Sequence, residues 1–323
     1  LFNNMRTFTE DISKWNTSNV VSMDSTFRNA RAFNTDISSW NTSNVVSMDS
    51  TFRDAQAFNT DISSWETSNV VSMEGTFRNA QAFNTDISSW KTSKVQNFHY
   101  TFYRAAAFDG DLSKWSVESA TNMHGMFKND NGNVRELNTN LSTWQVGKVS
   151  DMSSMFSGVK FDGNISEWDV SKVQKLDQMF GSNPHAGTYL TNDGTNVDVS
   201  KWNTSSVISM NSMFAGCSNF NSDLSKWVTT RVNNMEFMFY GASSFMSDLS
   251  KWRVENVVGM SSLFKNARLF NSDLSKWNVL KLGVGWVDSD GMGTSPIGGA
   301  FTGADQFDGI LCNDAWATSP LVG

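Results

Sequence analysis

Four lysines, Lys201, Lys226, Lys251 and Lys276, stand immediately before a tryptophan and are each 25 residues apart. In earlier copies of the same phrase the position holds Ser39, Ser64 and Ser89. A row of ammonium groups along one face would hold an anionic polysaccharide or an acidic partner surface. An aspartate stands three residues before each lysine, so the plainer alternative is a solvated face that neutralises itself. Oxygen-ligand chemistry is the second candidate. Asp288-Ser289-Asp290-Gly291 and Asp130-Asn131-Gly132 resemble pieces of calcium loops, but neither has the full ligand spacing with a terminal glutamate. Calcium at Asp130, Asp288 and Asp290 is therefore the one cofactor the sequence leaves open, beside ordinary Asx and glycine turns. Catalysis has less material. His99, His124 and His185 fall in different copies of the phrase without a recurring Cys or Asp partner, and there is no nucleophile elbow, zinc-protease motif or phosphate loop. The chain reads as non-enzymatic.

What must position these residues is a repeat. Trp15, Trp40, Trp65, Trp90 and Trp115 are 25 apart; steps of 29, 24 and 34 lead to Trp144, Trp168 and Trp202, and 25 returns through Trp227, Trp252 and Trp277. A fixed period of this size means stacked supersecondary units that share one core growing along a line. The chain is thus expected to be one elongated domain over 1–323, of about 11–12 coils. Within it, 1–7 ends a truncated repeat and 8–282 forms regular coils, with inserts near 128–136 and 181–195. Residues 283–300 are a third insert, and 301–323 a final partial coil. Phe2, Met5 and Phe8 align with Phe27, Ala30 and Phe33, so the sequence opens inside the phrase, as a fragment or processed product would.

Inside a coil the expectation is α/β: a leucine-rich-repeat-like solenoid, each coil a short strand plus a short helix. Val20, Met23, Phe27 and Ala30 are separated by three, four and three residues, which fits one face of a helix. Ser18 or Asn19 would cap it, as would Ser43, Ser68, Ser171 and Ser205 in their coils. Ahead of it, Ile12 to Thr17 is the strand, with Trp15 and Thr17 inward. The Trp column is then a core ladder rather than a sugar-binding stripe. The stacked Asp11, Asp36, Asp61, Asp86, Asp111, Asp198, Asp223, Asp248 and Asp273 are expected to accept backbone amides, because Asn140 and Asn164 fill the same place without charge. Cys217 takes an alanine slot as a small buried hydrophobe and should not pair with Cys312.

A formal net charge of -7 argues against nucleic-acid binding, which needs a basic field. No apolar run approaches the length of a membrane span. Asn16, Asn41, Asn140, Asn164 and Asn203 are glycosylation sequons, partly as a by-product of the phrase. The phrase Phe-Asn-x-Asp-Ile-Ser-x-Trp-x-Thr-Ser-x-Val-x-x-Met resembles the 25–26 residue surface-protein repeat of the BspA-like leucine-rich repeat group, over Phe8 to about Trp316. Leu224-Ser-Lys-Trp227-Val-Thr229 carries the group's generic leucine spacing, while Val228, Met246 and Phe98 depart from the usual residues. The resemblance implies an extracellular or cell-surface solenoid with structural or adhesive roles and no catalytic residues. Expected partners are copies of itself, end to end or laterally, and a polysaccharide or matrix protein.

Overall fold

The computed structural model describes residues 1–132, 135–181, 196–283 and 295–308. Coils stack as the period requires, but they are not α/β. Among the described residues there is no helix. The named strands are two residues each, β1 (Arg135–Glu136) and β2 (Val159–Lys160), paired in parallel. The strand expected over Ile12 to Thr17 is a turn closed by the Trp15 N–H on the Ile12 carbonyl at 3.1 Å. Extended pairing occurs instead as single parallel bridges, one per coil step, running Ser22, Ser47, Ser72, Asn97, Asn122 and on to Gly259.

Backbone hydrogen bonding shows why the expected helix cannot form. A helix sends every N–H to the carbonyl four residues back. Here the N–H groups of Met23, Ser25, Phe27 and Asn29 leave the coil and donate to the carbonyls of Ser47, Asp49, Thr51 and Arg53 at 2.9, 2.8, 2.9 and 2.6 Å. The alternate groups of Thr26, Arg28 and Ala30 stay inside, closing turns on Met23, Ser25 and Phe27 at 3.0, 3.3 and 3.0 Å. Alternation needs two left-handed residues per coil. Ser25 (φ 54°) and Asn29 (φ 59°) are the third residues of turns on Met23 and Phe27, where a type II turn requires positive φ. The pattern recurs at Ser50 and Asp54, at Gly75 and Asn79, and at Ser262 and Asn266. The spacing of three, four and three still delivers Met, Phe and Ala to the core; it does so through turns.

Inward residues form columns. The rings of Phe2, Phe27, Phe52, Phe77, Phe102, Phe127, Phe156, Phe180, Phe214, Phe239, Phe264 and Phe301 stack in one file at 5.4–5.8 Å between centroids. A second phenylalanine of the coil stacks beside the first, as Phe33 does on Phe27 at 3.9 Å. Tryptophan ties successive coils together by a polar bond as well as by area. Trp40 Nε1 donates to the Ile12 carbonyl at 3.1 Å, and Trp65 and Trp90 donate to Ile37 and Ile62 at 3.1 and 3.0 Å. The same bond continues to Trp277, which donates to Leu249 at 3.1 Å. Trp40 to Trp277 are therefore core residues whose only polar side-chain atom is satisfied by the preceding coil. Cys217 is buried, with its Sγ 3.7 Å from the Phe180 carbonyl; Cys312 lies outside the described residues.

Trp90→Phe keeps a ring in the column but leaves the buried Ile62 carbonyl without its donor. The expected loss is about 1–3 kcal/mol in denaturant unfolding, from the orphaned acceptor and the lost volume. An unchanged midpoint at unchanged slope would show that the indole bond adds nothing to stacking.

Candidate functional site

Lys201, Lys226, Lys251 and Lys276 are all exposed. The serines at this position in earlier coils are structural: the hydroxyls of Ser39, Ser64 and Ser89 donate to the Ser13, Ser38 and Ser63 carbonyls of the preceding coil at 2.7, 2.8 and 2.8 Å. Exchanging serine for lysine gives up that bond and puts an ammonium in solvent. Lys201 is paired with Glu167, whose hydrogen bond raises the lysine pKa. The neighbouring aspartates are already engaged. Asp36 Oδ1 accepts the Ser38 N–H at 2.9 Å, and Asp198, Asp223, Asp248 and Asp273 accept from Ser200, Ser225, Ser250 and Ser275 at the same distance. These serine bonds hold the carboxyls below 3.8. Asn140 and Asn164 make the same bond to Ser142 and Ser166 at 3.0 and 3.1 Å, so the position needs an oxygen acceptor and not a charge.

The five sequon asparagines are exposed. Asn16, Asn41 and Asn203 each accept the N–H of the sequon serine two residues on, at 3.1, 3.0 and 3.1 Å, which turns Oδ1 inward to the chain. Of the calcium candidates, Asp288 and Asp290 lie outside the described residues, as does His185. Asp130 has protein partners: Tyr103 Oη donates to it at 2.8 Å, Arg104 Nε at 2.5 Å, and Lys128 Nζ stands 3.8 Å away. Burial alone would raise the Asp130 carboxyl, but these donors outweigh it and hold it down. Among the described residues no group of three or more His, Cys, Asp or Glu side chains converges as a metal site.

That ion pair belongs to a cluster the sequence reading missed. His99 and His124 look scattered in the chain, yet they differ by one period, so stacking brings their rings to 5.1 Å, edge to face. Each has an acid partner from an adjoining coil: His99 Nδ1 is 3.5 Å from Glu74 and His124 Nδ1 is 3.7 Å from Asp151. Tyr100 Oη lies 3.2 Å from His124 Nε2. Arg78 covers the Tyr100 and Tyr103 rings at 5.1 and 4.8 Å, while Arg104 lies over Tyr103 at 5.1 Å. Tyr100 sits at φ 54°, and its ring occupies the space above Gly125, where an added Cβ would meet it at 2.2 Å. Burial, reinforced by the bond to Asp130, pushes Tyr103 up to about 12, so no phenol here is activated as a base. The cluster cross-links coils.

Acid should loosen it in two stages. Burial depresses the His99 imidazole below 6.5, so its share of stability is complete above that pH and is lost as pH falls through the folded value. Burial opposes ionisation of Asp151, but bonds from His124 and Ser153 prevail and bring it to about 2 from 3.8. Its share, about 1–2 kcal/mol, is present above 3.8 and lost between there and about 2. Asp49 and Asp177, raised by burial, work with the opposite sign. Stability of His99→Gln measured against pH should lack the first stage and keep the second. Retention of both stages in that variant would remove His99 from the account.

No curated protein matches the chain. Two solved structures are similar to it at low level. One is a chain of the TLR13–ssRNA13 complex, at 11% identity and TM-score 0.26, covering 77% of this chain and 31% of that one. The other is a leucine-rich repeat protein from Bacteroides ovatus ATCC 8483, at 13% identity and TM-score 0.25, covering 82% and 72%. At that similarity neither carries an argument. A family model, in contrast, matches almost the whole repeat region, at residues 1–65, 39–133, 130–187 and 186–284. Its repeats are the stacked coils described above, and the chain belongs to the family described as Mycoplasma protein of unknown function, DUF285.

Proposed function

We propose that this chain is a non-enzymatic module of an extracellular or cell-surface protein of the BspA-like repeat kind. It is structural or adhesive, and it acts through its repetitive face. One observation carries the reading: the recurring inward polar groups, the Trp indoles and buried Thr hydroxyls, are consumed by neighbouring coils. Thr42 Oγ1 donates to the Glu66 carbonyl at 3.0 Å, and Thr51 Oγ1 to the Met23 carbonyl at 3.1 Å. What remains for a partner is a set of regular surface columns, and a regular column fits another regular object. That object is a second copy, giving filaments or layers, or a polymer with its own repeat. Exposure of Lys226, Lys251 and Lys276 beside aspartates already held by serines favours, as the second reading, an acidic polysaccharide or protein on the late column.

Electron microscopy and sedimentation of the purified protein over a concentration series should show filaments or layers, and beads coated with it should adhere to matrix protein or polysaccharide. A monodisperse monomer at the solubility limit together with unretained beads would sink the proposal. Charge reversal at Lys226 and Lys251 should weaken adhesion about tenfold if the late column is the contact; unchanged adhesion would confine the function to other faces.

A further inference from the structure

The residue after one Trp and the residue before the next lie side by side on adjacent coils. At the early steps these pairs are neutral or acidic, as with Asn16 and Ser39 or Glu66 and Ser89. Two steps are doubly basic, Lys91 with Lys114 and Arg253 with Lys276. Each doubly basic step holds a surface cleft, of about 390 Å³ at the first and about 260 Å³ at the second. The first reaches the size range of small-ligand sites.

The two clefts differ in what their cations already touch. Arg253 is held by Glu255 at 2.8 Å, so the smaller cleft spends its guanidinium internally. Lys91 stands 3.7 Å from Glu66, with side chains 67% and 42% exposed. An exposed, screened pair of that kind contributes little and yields to a better anion. Lys114 is exposed beside Asp86 and Asp111, whose carboxylates already accept the N–H groups of Ser88 and Ser113 at 2.9 and 2.8 Å. Between the lysines the lining comes from Ser68, Ser93 and Ser116 beside Trp90, and it presents more apolar than polar surface.

Three partner classes are separated by this lining. A protein partner needs an exposed aromatic or aliphatic anchor, and Trp90 is only 2% exposed. Single-stranded nucleic acid needs an exposed ring on which its bases stack, and the buried Trp90 offers none. A sugar suits it, because a lining of small hydroxyl side chains with much apolar surface meets both the C–H faces and the hydroxyls of a ring, while two ammonium groups take an acid group. We infer that the cleft between Lys91 and Lys114 is a subsite for an acidic sugar unit of a polysaccharide, its sulfate or carboxylate set between the two ammonium groups. This rests on the polysaccharide reading above and moves its centre from the late lysine column to the fourth and fifth Trp coils.

The test measures binding of the full chain to dextran sulfate, to polygalacturonate and to neutral dextran. Wild type should bind one or both acidic polymers and not neutral dextran; the polymer bound tells sulfate from carboxylate. Lys91→Gln with Lys114→Gln should weaken that binding about tenfold or more, while the paired arginine variant stays within about threefold. Thermal unfolding of both variants should match wild type, since neither lysine is buried. Unchanged binding in the glutamine pair, or equal binding of neutral dextran, overturns the subsite. Loss confined to a Lys226→Gln and Lys251→Gln variant overturns it while leaving the late-column reading intact. Absence of binding to either acidic polymer overturns both.

Discussion

The fold depends on one directional choice, made at alternate peptide groups of the Met-to-Ala segment. Their N–H groups point along the stack rather than along the coil, so each coil completes the hydrogen bonding of its neighbour. An unpaired buried amide costs as much as a lost hydrogen bond. The segment therefore cannot satisfy itself alone, and its neighbour must present carbonyls at the same register. Insertions obey that constraint. Where coil length departs from 25, the ladder is still met: Phe127 donates to Met155 at 3.0 Å, Phe156 to Met179 at 2.8 Å, Phe180 to Met213 at 3.1 Å and Phe264 to Ala300 at 2.7 Å. Extra residues lie outside this ladder: two insertions follow its Phe127 and Phe180, and the third falls ahead of it, between Leu282 and Ile297.

Once the register is set by backbone, side-chain chemistry follows by column. Aromatic rings stack because identical positions are superposed, and the indole N–H finds a carbonyl because the preceding coil always presents one there. The first insertion shows what happens where the phrase lapses. Beyond Asp130, which falls in the alanine column, the buried Arg135 donates to the Ala105 and Phe127 carbonyls at 2.5 and 3.2 Å. Burial draws its pKa down to about 10. A guanidinium spanning backbone carbonyls of two coils replaces part of the cross-linking that the regular phrase supplies with apolar contact.

Period, single core, Trp ladder and Asx turns were legible in the sequence because they depend on residue identity at a fixed interval. The helix was misread because Val20, Met23, Phe27 and Ala30 satisfy the inward spacing of a helix and of a run of turns equally well. The deciding signal lay between them. Ser25 and Asn29 recur as Ser50 and Asp54, as Gly75 and Asn79, and as Ser212 and Gly216, small or Asx residues four apart at positions of positive φ. Serine, asparagine and glycine at those sites weaken a helix and suit left-handed turn positions. Tyr100 and Phe237 break the rule at φ 54° and 56°, which hides the signal in the coils that carry them.

Site chemistry was less legible for a related reason. In a stacked chain the neighbours of a residue are those one period away, and sequence proximity says little. His99 and His124, judged as separate histidines, become a contacting pair; Lys91 and Lys114, which no sequence motif joins, line one cleft. A lone departure from the phrase is diluted by the regular residues above and below it. Two departures on adjacent coils make a surface that the regular phrase does not. Such neighbouring exceptions are found by writing the chain in coils and looking down the columns.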